Sequence, residues 1–436
     1  MTVVQDSPVA DARGPAFARG GAASAGRAWL FNPVVDVLCL GGASLIALPL
    51  FWLLVPASAT AQVAVIAMAM AHVINNPHFA NSYQIFYGGF GAKAFGTELE
   101  PRLRWRYRFA GLVVPLLLGG FLAVAALAGD VRTLGFAGNL MFLLVGWHYA
   151  KQGYGMAIVD SVLKRRFYDA GDKRVLLLNA YACWGLSWLI ANRAVAMQDL
   201  WGLKYYTFAV PAFVYWAVVG LVVASGLLVL WRLGRRLLAG RGLPWTGLLA
   251  YAVTLYLWLI FVRLDPRFLL LVPAFHSLQY LVVVWRYKLN EAASRPAAPA
   301  ETRIAGLTGY AWLRLTSFLL VGIVLGWALF WGLPRWLDGS VAYDKKAFGP
   351  ALFLFAFWIF VNVHHYFLDN VMWRRENPTT KRYLFGQGYP RGGRGKGFSA
   401  LRGRARSHPW PGSSSVTPRR IRRSPTVSPP SSSSRA

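Results

Sequence analysis

The stretch FVNVHHYFLDNVMWRR, residues 360–375, places His364, His365 and Asp369 inside an apolar run that begins at Phe348. A run of this length is sufficient to cross a lipid bilayer as a helix. Ionisable side chains are costly inside a bilayer, and those that occur there are by default candidates for function. The stretch therefore predicts a membrane-spanning helix that carries part of a functional site.

The composition of the whole chain predicts an integral membrane protein. Of its 436 residues, 56% are apolar and only 14% are charged, whereas soluble domains carry about 25% charged residues. We predict an all-α polytopic bundle of about ten transmembrane helices, N-in and C-in, with disordered termini. The ten predicted spans cover residues 35–56, 61–87, 109–129, 134–160, 174–194, 206–231, 245–262, 266–288, 310–333 and 348–374. The two cysteines lie in apolar segments and offer neither a disulfide framework nor a thiolate zinc site.

Composition also divides the chain into three regions. Residues 1–33 are predicted to form a flexible N-terminal arm, residues 34–375 the ten-helix transmembrane domain, and residues 376–436 a basic tail rich in Gly, Arg, Ser and Pro. The tail contains too few apolar side chains to build a core. We interpret it either as a disordered segment attracted to anionic lipid or as an out-of-frame translation of GC-rich DNA.

The distribution of Lys and Arg gives the expected orientation of the spans. With the N-terminus inside, the inner segments hold 21 of these residues and the outer loops hold 8, which agrees with the positive-inside rule. Topology and the basic tail therefore explain the net charge of +29, and no specific nucleic-acid partner is expected. We predict a multi-pass protein of a bacterial inner (plasma) membrane, in contact with membrane lipids.

Six of the seven histidines lie in the even-numbered spans, which all run from outside to inside. His276 precedes Arg286 by 10 residues and His365 precedes Arg374 by 9. At the helical rise per residue, both rings lie roughly 14–15 Å from the inner boundary, close to the bilayer centre. We therefore predict that the histidines of four helices converge on a buried metal. The predicted ligands are His72, His78, His148, His276, His364 and His365, and not all six are expected to be needed.

Asp369 and Lys151 are the two candidate catalytic side chains. Asp369 lies four residues after His365 on the same helical face, where it is expected to bind the metal or to orient a ligand. The alternative for Asp369 is an ion pair with the two arginines that follow it. Lys151 lies three residues after His148 and is expected either to pack at the inner interface or to bind an anionic group of the substrate.

Four polar side chains are predicted to orient the histidines. Each lies three or four residues after a histidine, which places the two side chains on one face of a helix. A metal-binding imidazole usually donates from its second nitrogen to an oxygen, and this bond fixes the tautomer. The four residues are Asn76, Gln152, Gln279 and Tyr280.

The second predicted span contains a signal of its own, the segment HVINNPH at residues 72–78. A straight helix would place its two histidines, six residues apart, on different faces. Pro77 lacks a backbone N–H and kinks helices. We therefore expect the helix to bend here and to turn His78 towards the other spans.

A ligand set of imidazoles with one carboxylate favours iron, copper or zinc over magnesium and calcium, which prefer oxygen ligands. We predict non-haem iron, as one or two ions, because an apolar site near the midplane suits oxidation of a lipid-soluble substrate. The expected function is that of an oxygenase or desaturase supplied by an electron donor. Zinc-dependent hydrolysis is a weaker interpretation of the same ligands.

Two other classes of function remain open at the level of sequence. The histidines can hold haem b between paired helices, which predicts an electron-transfer protein. They can also form a relay in a transporter of protons or metal ions. Few acidic residues lie in the spans, which disfavours transport.

In architecture the chain resembles the histidine-box membrane desaturases and hydroxylases and the membrane carotene dioxygenases. It lacks the HxxxH and HxxHH boxes of the desaturases, and the pair at residues 364–365 alone is not such a box. The resemblance implies an oxidative function on a lipid-soluble substrate and assigns no ligand.

Overall fold

Ten long helices account for most of the chain that the computed structural model describes. The described residues are 28–194, 199–200, 203–265, 267–294, 303–304 and 307–385. The long helices are α1 (Pro33–Leu54), α2 (Ala57–Tyr87), α3 (Pro101–Leu127), α4 (Val131–Leu163), α5 (Ala170–Ala194), α6 (Ala212–Leu238), α7 (Trp245–Leu264), α8 (Phe268–Ala293), α9 (Gly309–Ser340) and α10 (Leu352–Met372). Short helical segments cover Phe90–Phe95, Lys345–Phe348, Pro378–Thr380 and Lys381–Phe385, and the hairpin ladders Asp199–Leu200 with Leu203–Lys204 and Arg303–Ile304 with Leu307–Thr308 are two residues long.

Nine of these helices, within the described residues, are long and apolar enough to cross a membrane. The tenth, α4, has 33 residues and covers predicted span four. Polar residues, among them Asn139, Lys151 and Gln152, interrupt the apolar sequence of α4. The structure thus confirms the all-α polytopic fold of a multi-pass membrane protein, while the count of ten spans and their orientation stay predictions.

Local sequence signals account for where several helices begin. The Asn32 side chain accepts a hydrogen bond from the backbone N–H of Val35 at 2.9 Å, and Asp130 accepts one from Thr133 at 2.9 Å. Both are N-caps, which pair otherwise unsatisfied amides in the first turn of a helix. Helix α3 begins at Pro101, where the missing N–H of proline has no cost.

Helix α2 is irregular just before His78. Residues Ala71–Asn75 form a π-helical turn, in which the backbone N–H of Asn76 donates to the carbonyl of Ala71. Pro77, which cannot donate, follows directly. One wide turn changes the angular phase of a helix, and His72 and His78 remain on different faces with different surroundings. The structure therefore locates the irregularity expected at Pro77 in the π turn that precedes it.

Close helix crossings bring the four histidine-bearing helices together. Helix α4 packs against α5, α7 and α10, while α2 packs against α8, α9 and α10. A methyl group added at Gly326 of α9 would meet the backbone carbonyl carbon of Asn76 at 2.7 Å, and one at Gly247 of α7 would meet the Asp160 side chain at 2.6 Å. Small residues at such crossings let helix backbones approach in a membrane bundle. Because α10 packs against both α2 and α4, and α2 also packs against α8, the four histidine-bearing helices share one interior.

The predicted N-terminal arm and basic tail lie largely outside the described residues, which leave out 1–27 and 386–436. The described ends of these two regions pack on the helices. Leu30 is buried, and its backbone N–H donates to the Asp36 carboxylate at 2.6 Å. Asn377 and Leu384 are buried as well. Residues at both described ends of the chain therefore pack against the helices.

Candidate metal centre

Four side chains from three helices meet in the interior of the bundle. They are His78 of α2, His148 of α4, and His365 and Asp369 of α10, all buried. One ligand atom from each lies within 4.8 Å of the others. The shortest separations are 3.0 Å between the Nε2 atoms of His78 and His365, and 3.4 Å between His365 Nε2 and Asp369 Oδ2. His148 Nε2 lies 3.9 Å from the same carboxylate oxygen. We call these four residues the histidine–aspartate cluster.

The two shortest separations, 3.0 and 3.4 Å, match neighbouring ligands of one metal ion, and the group of four, which spans up to 4.8 Å, would contract slightly around the ion. At bond lengths of about 2.1 Å, neighbouring ligand atoms of a tetrahedral or octahedral site lie roughly 3.0–3.4 Å apart, and opposite atoms about 4.2 Å apart. His148 Nε2 points into the cluster, is buried and has no hydrogen-bond partner among the described residues. A buried polar atom without a partner is costly. A metal at this position would satisfy that atom.

The tautomer of His78 is determined by hydrogen bonds on its outer side. Ser277 Oγ of α8 donates to Asn75 Oδ1 at 2.8 Å, and it lies 2.8 Å from His78 Nδ1. Because the serine proton is used on Asn75, Ser277 Oγ accepts from His78, whose Nδ1 carries the hydrogen. The lone pair of His78 is therefore on Nε2 and faces the cluster. This is the tautomer that a metal requires.

The two oxygens of Asp369 have different surroundings. Oδ1 accepts a hydrogen bond from the Tyr280 hydroxyl at 2.9 Å. That hydroxyl also lies 2.5 Å from Ser82 Oγ and accepts from Trp373 Nε1 at 3.3 Å. Oδ2 faces His365 and His148. Tyr280 thus holds the carboxylate in the orientation that presents Oδ2 to a metal, which gives this tyrosine an orienting role on the aspartate instead of the predicted one on a histidine.

His276 of α8 lies beside the cluster without joining the group of four. Its ring centre is 5.1 Å from that of His78 and 5.0 Å from that of His148. Its Nδ1 is buried and has no hydrogen-bond partner in the described part of the chain. Tyr149 stacks on the ring, with the ring centres 3.9 Å apart. The imidazole is held in place and adjoins the cluster.

The structure does not bring His72 and His364 into the cluster. His364 Nε2 donates to the carbonyl of Ala110 at 2.9 Å, and Nδ1 accepts from the Tyr83 hydroxyl at 2.8 Å. Both nitrogens are therefore occupied by protein groups, and no lone pair is left for a metal. His72 is partly exposed, donates to the carbonyl of Met68 and stacks on Trp331. His364 lies about 100° round the helix from His365, and His72 lies on another face of α2 than His78. Both histidines therefore contact groups outside the cluster.

Lys151 and three of the predicted orienting residues make contacts other than those expected. The Lys151 ammonium lies over the rings of Tyr154 and Tyr181, on the side of α4 that faces α5. Gln152 donates to the backbone carbonyl of His276 at 2.9 Å, and Gln279 donates to the carbonyl of Leu40 at 2.8 Å. Asn76 is buried against α9, and its Nδ2 has no hydrogen-bond partner among the described residues. The two glutamines connect helix backbones, and none of the three amides has a described hydrogen bond to an imidazole nitrogen.

Sequence spacing singled out Tyr280 but missed the other residues that orient the cluster. Ser277 acts on His78 from another helix, 199 residues away along the chain. Asn75 and Ser82 are visible in the sequence as part of a polar patch around Pro77, but their bonding partners are not. Only one signal pointed to Ser277, a hydroxyl directly after a histidine in an apolar helix.

Comparisons with protein-family models, with curated proteins and with solved structures found no match for this chain. The fold and the site therefore define the class of protein by themselves. The chain is a multi-pass membrane protein whose interior contains a buried cluster of three histidines and one aspartate able to hold a metal ion.

Proposed function

We propose that the chain is a membrane-embedded metalloenzyme, a non-haem iron oxygenase or desaturase acting on a lipid-soluble substrate. The observation that carries this proposal is the convergence of His78, His148, His365 and Asp369 in the buried interior. Three imidazoles with one carboxylate form a set in which iron binds readily, as in sites with two histidines and a carboxylate. Bound iron would supply the capacity to activate dioxygen, with electrons from a separate donor.

The residues of the chain have definable roles in such a site. His78, His148, His365 and Asp369 would hold the ion, and Ser277 would keep His78 in its binding tautomer. Tyr280 would hold Asp369 in place. Aromatic rings enclose the cluster, with Phe79 4.7 Å from His365 and Tyr366 4.6 Å from His148 between ring centres. An enclosure of this kind excludes water, which protects reactive species from side reactions.

The geometry favours one ion over two. Two-metal sites hold their ions about 3.5–4 Å apart and need a ligand set for each. The group of four atoms is suited to one ion, and His364 has both nitrogens bonded elsewhere. His276 is the additional imidazole within reach of the cluster.

The haem and transport alternatives are less well supported by the packing. Haem needs a flat slot between two axial ligands, but the Nε2 atoms of His78 and His365 are 3.0 Å apart, with Phe79 packed against both rings. A relay needs successive exchange sites across the membrane, and the converging groups form a single compact cluster among the described residues. The proposed location is a bacterial inner membrane, in the orientation with both chain ends inside that the charge distribution predicts.

Metal analysis of paired histidine variants tests the proposal. We expect purified wild-type protein to contain about one iron per chain without a Soret absorption band. His365→Gln should lose the metal, because it removes a ligand at the centre of the cluster. His72→Gln, which changes a histidine outside the cluster, serves as the matched control and should retain it. Full iron occupancy in His365→Gln, or a Soret band in the wild type, would overturn the proposal.

A further inference from the structure

An apolar cleft of about 150 Å³ lies between α4, α5, α7 and α8, next to the histidine–aspartate cluster. Its lining is mainly aliphatic and aromatic and includes Phe142, Tyr149, Trp184, Ala191, Trp258 and Val262. On α4 the lining runs from residue 142 to residue 150, which is about 12 Å along the helix axis. An apolar cavity of roughly 150 Å³ accepts a ligand the size of benzene. The cleft therefore suits a narrow segment of ligand aligned with the helices.

The cleft is lined almost entirely by carbon atoms. Trp184 Nε1 donates to the carbonyl of Leu143, and Trp258 Nε1 donates to Ser44 Oγ. Ser187 Oγ donates to the carbonyl of Trp184. These polar groups are used within the protein, so a ligand in the cleft is bound through apolar contact. A charged or hydrogen-bonding ligand would lose its hydration there without replacement.

Tyr149 connects the cleft to the cluster. It lines the cleft, and its ring stacks on His276 at 3.9 Å between centres. His276 in turn lies 5.0 Å from His148, which belongs to the cluster. A ligand segment in the cleft therefore ends two side chains away from the proposed metal.

We propose that this cleft binds the hydrocarbon chain of the substrate, alkyl or isoprenoid, and positions it beside the histidine–aspartate cluster. The inference rests on the proposed function and deepens it by naming the substrate class and the side from which the substrate approaches. The occupant is a single unsubstituted hydrocarbon segment. The hydrocarbon chain leaves lipid and not water, so its affinity comes from van der Waals packing against the walls of the cleft, and its position comes from the length of the cleft.

Photolabelling of the full-length protein in nanodiscs tests the cleft. The probe is an alkyl diazirine with an otherwise plain hydrocarbon chain, and adducts are located by mass spectrometry. We expect adducts on the lining residues of α4, α5 and α7 that excess squalene or hexadecane removes. Ala191→Phe fills the cleft and should abolish this labelling, because the added ring occupies the volume that the hydrocarbon chain would take.

Two further variants complete the labelling experiment. Leu178→Phe, at an exposed position of the same helix, is the matched control and should label like the wild type. Val262→Phe fills the cleft from α7 and replaces Ala191→Phe if that variant does not fold. Equal labelling in the filled variants and the control would overturn the inference, as would competition by added phospholipid as strong as by hydrocarbon.

The metal content of the same preparations distinguishes this inference from the proposed function. If the wild-type protein is free of metal and hydrocarbon still competes with the labelling, the proposed metalloenzyme function is refuted and the hydrocarbon-binding cleft is retained. Retained iron with no labelling in the cleft would remove the cleft proposal and leave the metal centre.

Discussion

The serine that sets the tautomer of His78 gives the sharpest prediction from this structure. Ser277→Ala deletes the hydroxyl that lies 2.8 Å from His78 Nδ1 and donates to Asn75 Oδ1 at 2.8 Å. Without it, the His78 proton is no longer fixed on Nδ1. The ring can then place its hydrogen on Nε2, where it would occupy the lone pair that faces the metal. Metal binding should weaken although no ligand has been removed.

The expected magnitude follows from the bonds that are lost. Each buried neutral hydrogen bond contributes about 0.5–1.5 kcal/mol, and each partner left unsatisfied costs about 1–3 kcal/mol. Removing an orienting partner of a metal ligand typically weakens metal affinity by about 10–100-fold, which corresponds to roughly 1.4–2.7 kcal/mol. We therefore expect Ser277→Ala to raise the Kd for iron by about 10–100-fold, with insertion into the membrane unchanged.

Chelator competition on detergent-solubilised protein measures this Kd directly. Ser161→Ala is the matched control, because Ser161 is also buried and donates to the carbonyl of Ile158 in its own helix. Ser277→Thr keeps a hydroxyl and should recover most of the affinity. If Ser277→Ala binds iron as tightly as the wild type, the assignment of the His78 tautomer is wrong and Ser277 has only a packing role.

Three further predictions concern packing, pH and topology. Gly247→Ala should destabilise the fold by about 1–3 kcal/mol and lower the thermal unfolding temperature, because the added methyl would lie 2.6 Å from the Asp160 side chain. Gly155→Ala adds a methyl in open space and should leave the unfolding temperature unchanged. Burial lowers the pKa of Lys93, outside the spans, from 10.5 to about 8, with smaller opposing effects of Glu291, which raises it, and Lys288, which lowers it. The unfolded chain therefore binds the Lys93 proton more tightly than the folded chain does, so the unfolding temperature should rise with pH between about 8 and 10.5. In a pH series, the Lys93→Met variant should show a flatter rise. Reporter fusions at the two chain ends should both be active on the cytosolic side, and activity on opposite sides would refute the count of ten spans.

The class of the protein and most of its helices could be predicted from the amino-acid sequence. Ten long apolar runs exclude a soluble fold, because a chain in water could not bury so much apolar surface. Each run has to form a helix, because lipid offers the backbone N–H and C=O groups no hydrogen-bond partner. The sequence also predicts a shared membrane depth for His276 and His365, in spans of one direction. These are properties of single helices, set by length, polarity and helical rise.

Which side chains face one another was settled only by the packing of the helices. In the sequence His364 and His365 are equivalent candidates, yet the rotation of about 100° between them directs His365 to His78 and His364 to Ala110 and Tyr83. The rotation of each helix about its axis depends on close crossings such as the one at Gly326, which involve residues far apart in the chain. Packing of the same kind brings Ser277 Oγ within hydrogen-bond distance of His78 Nδ1. Polarity fixes the depth of a residue in the membrane, but packing between helices fixes its direction, and the metal centre depends on direction.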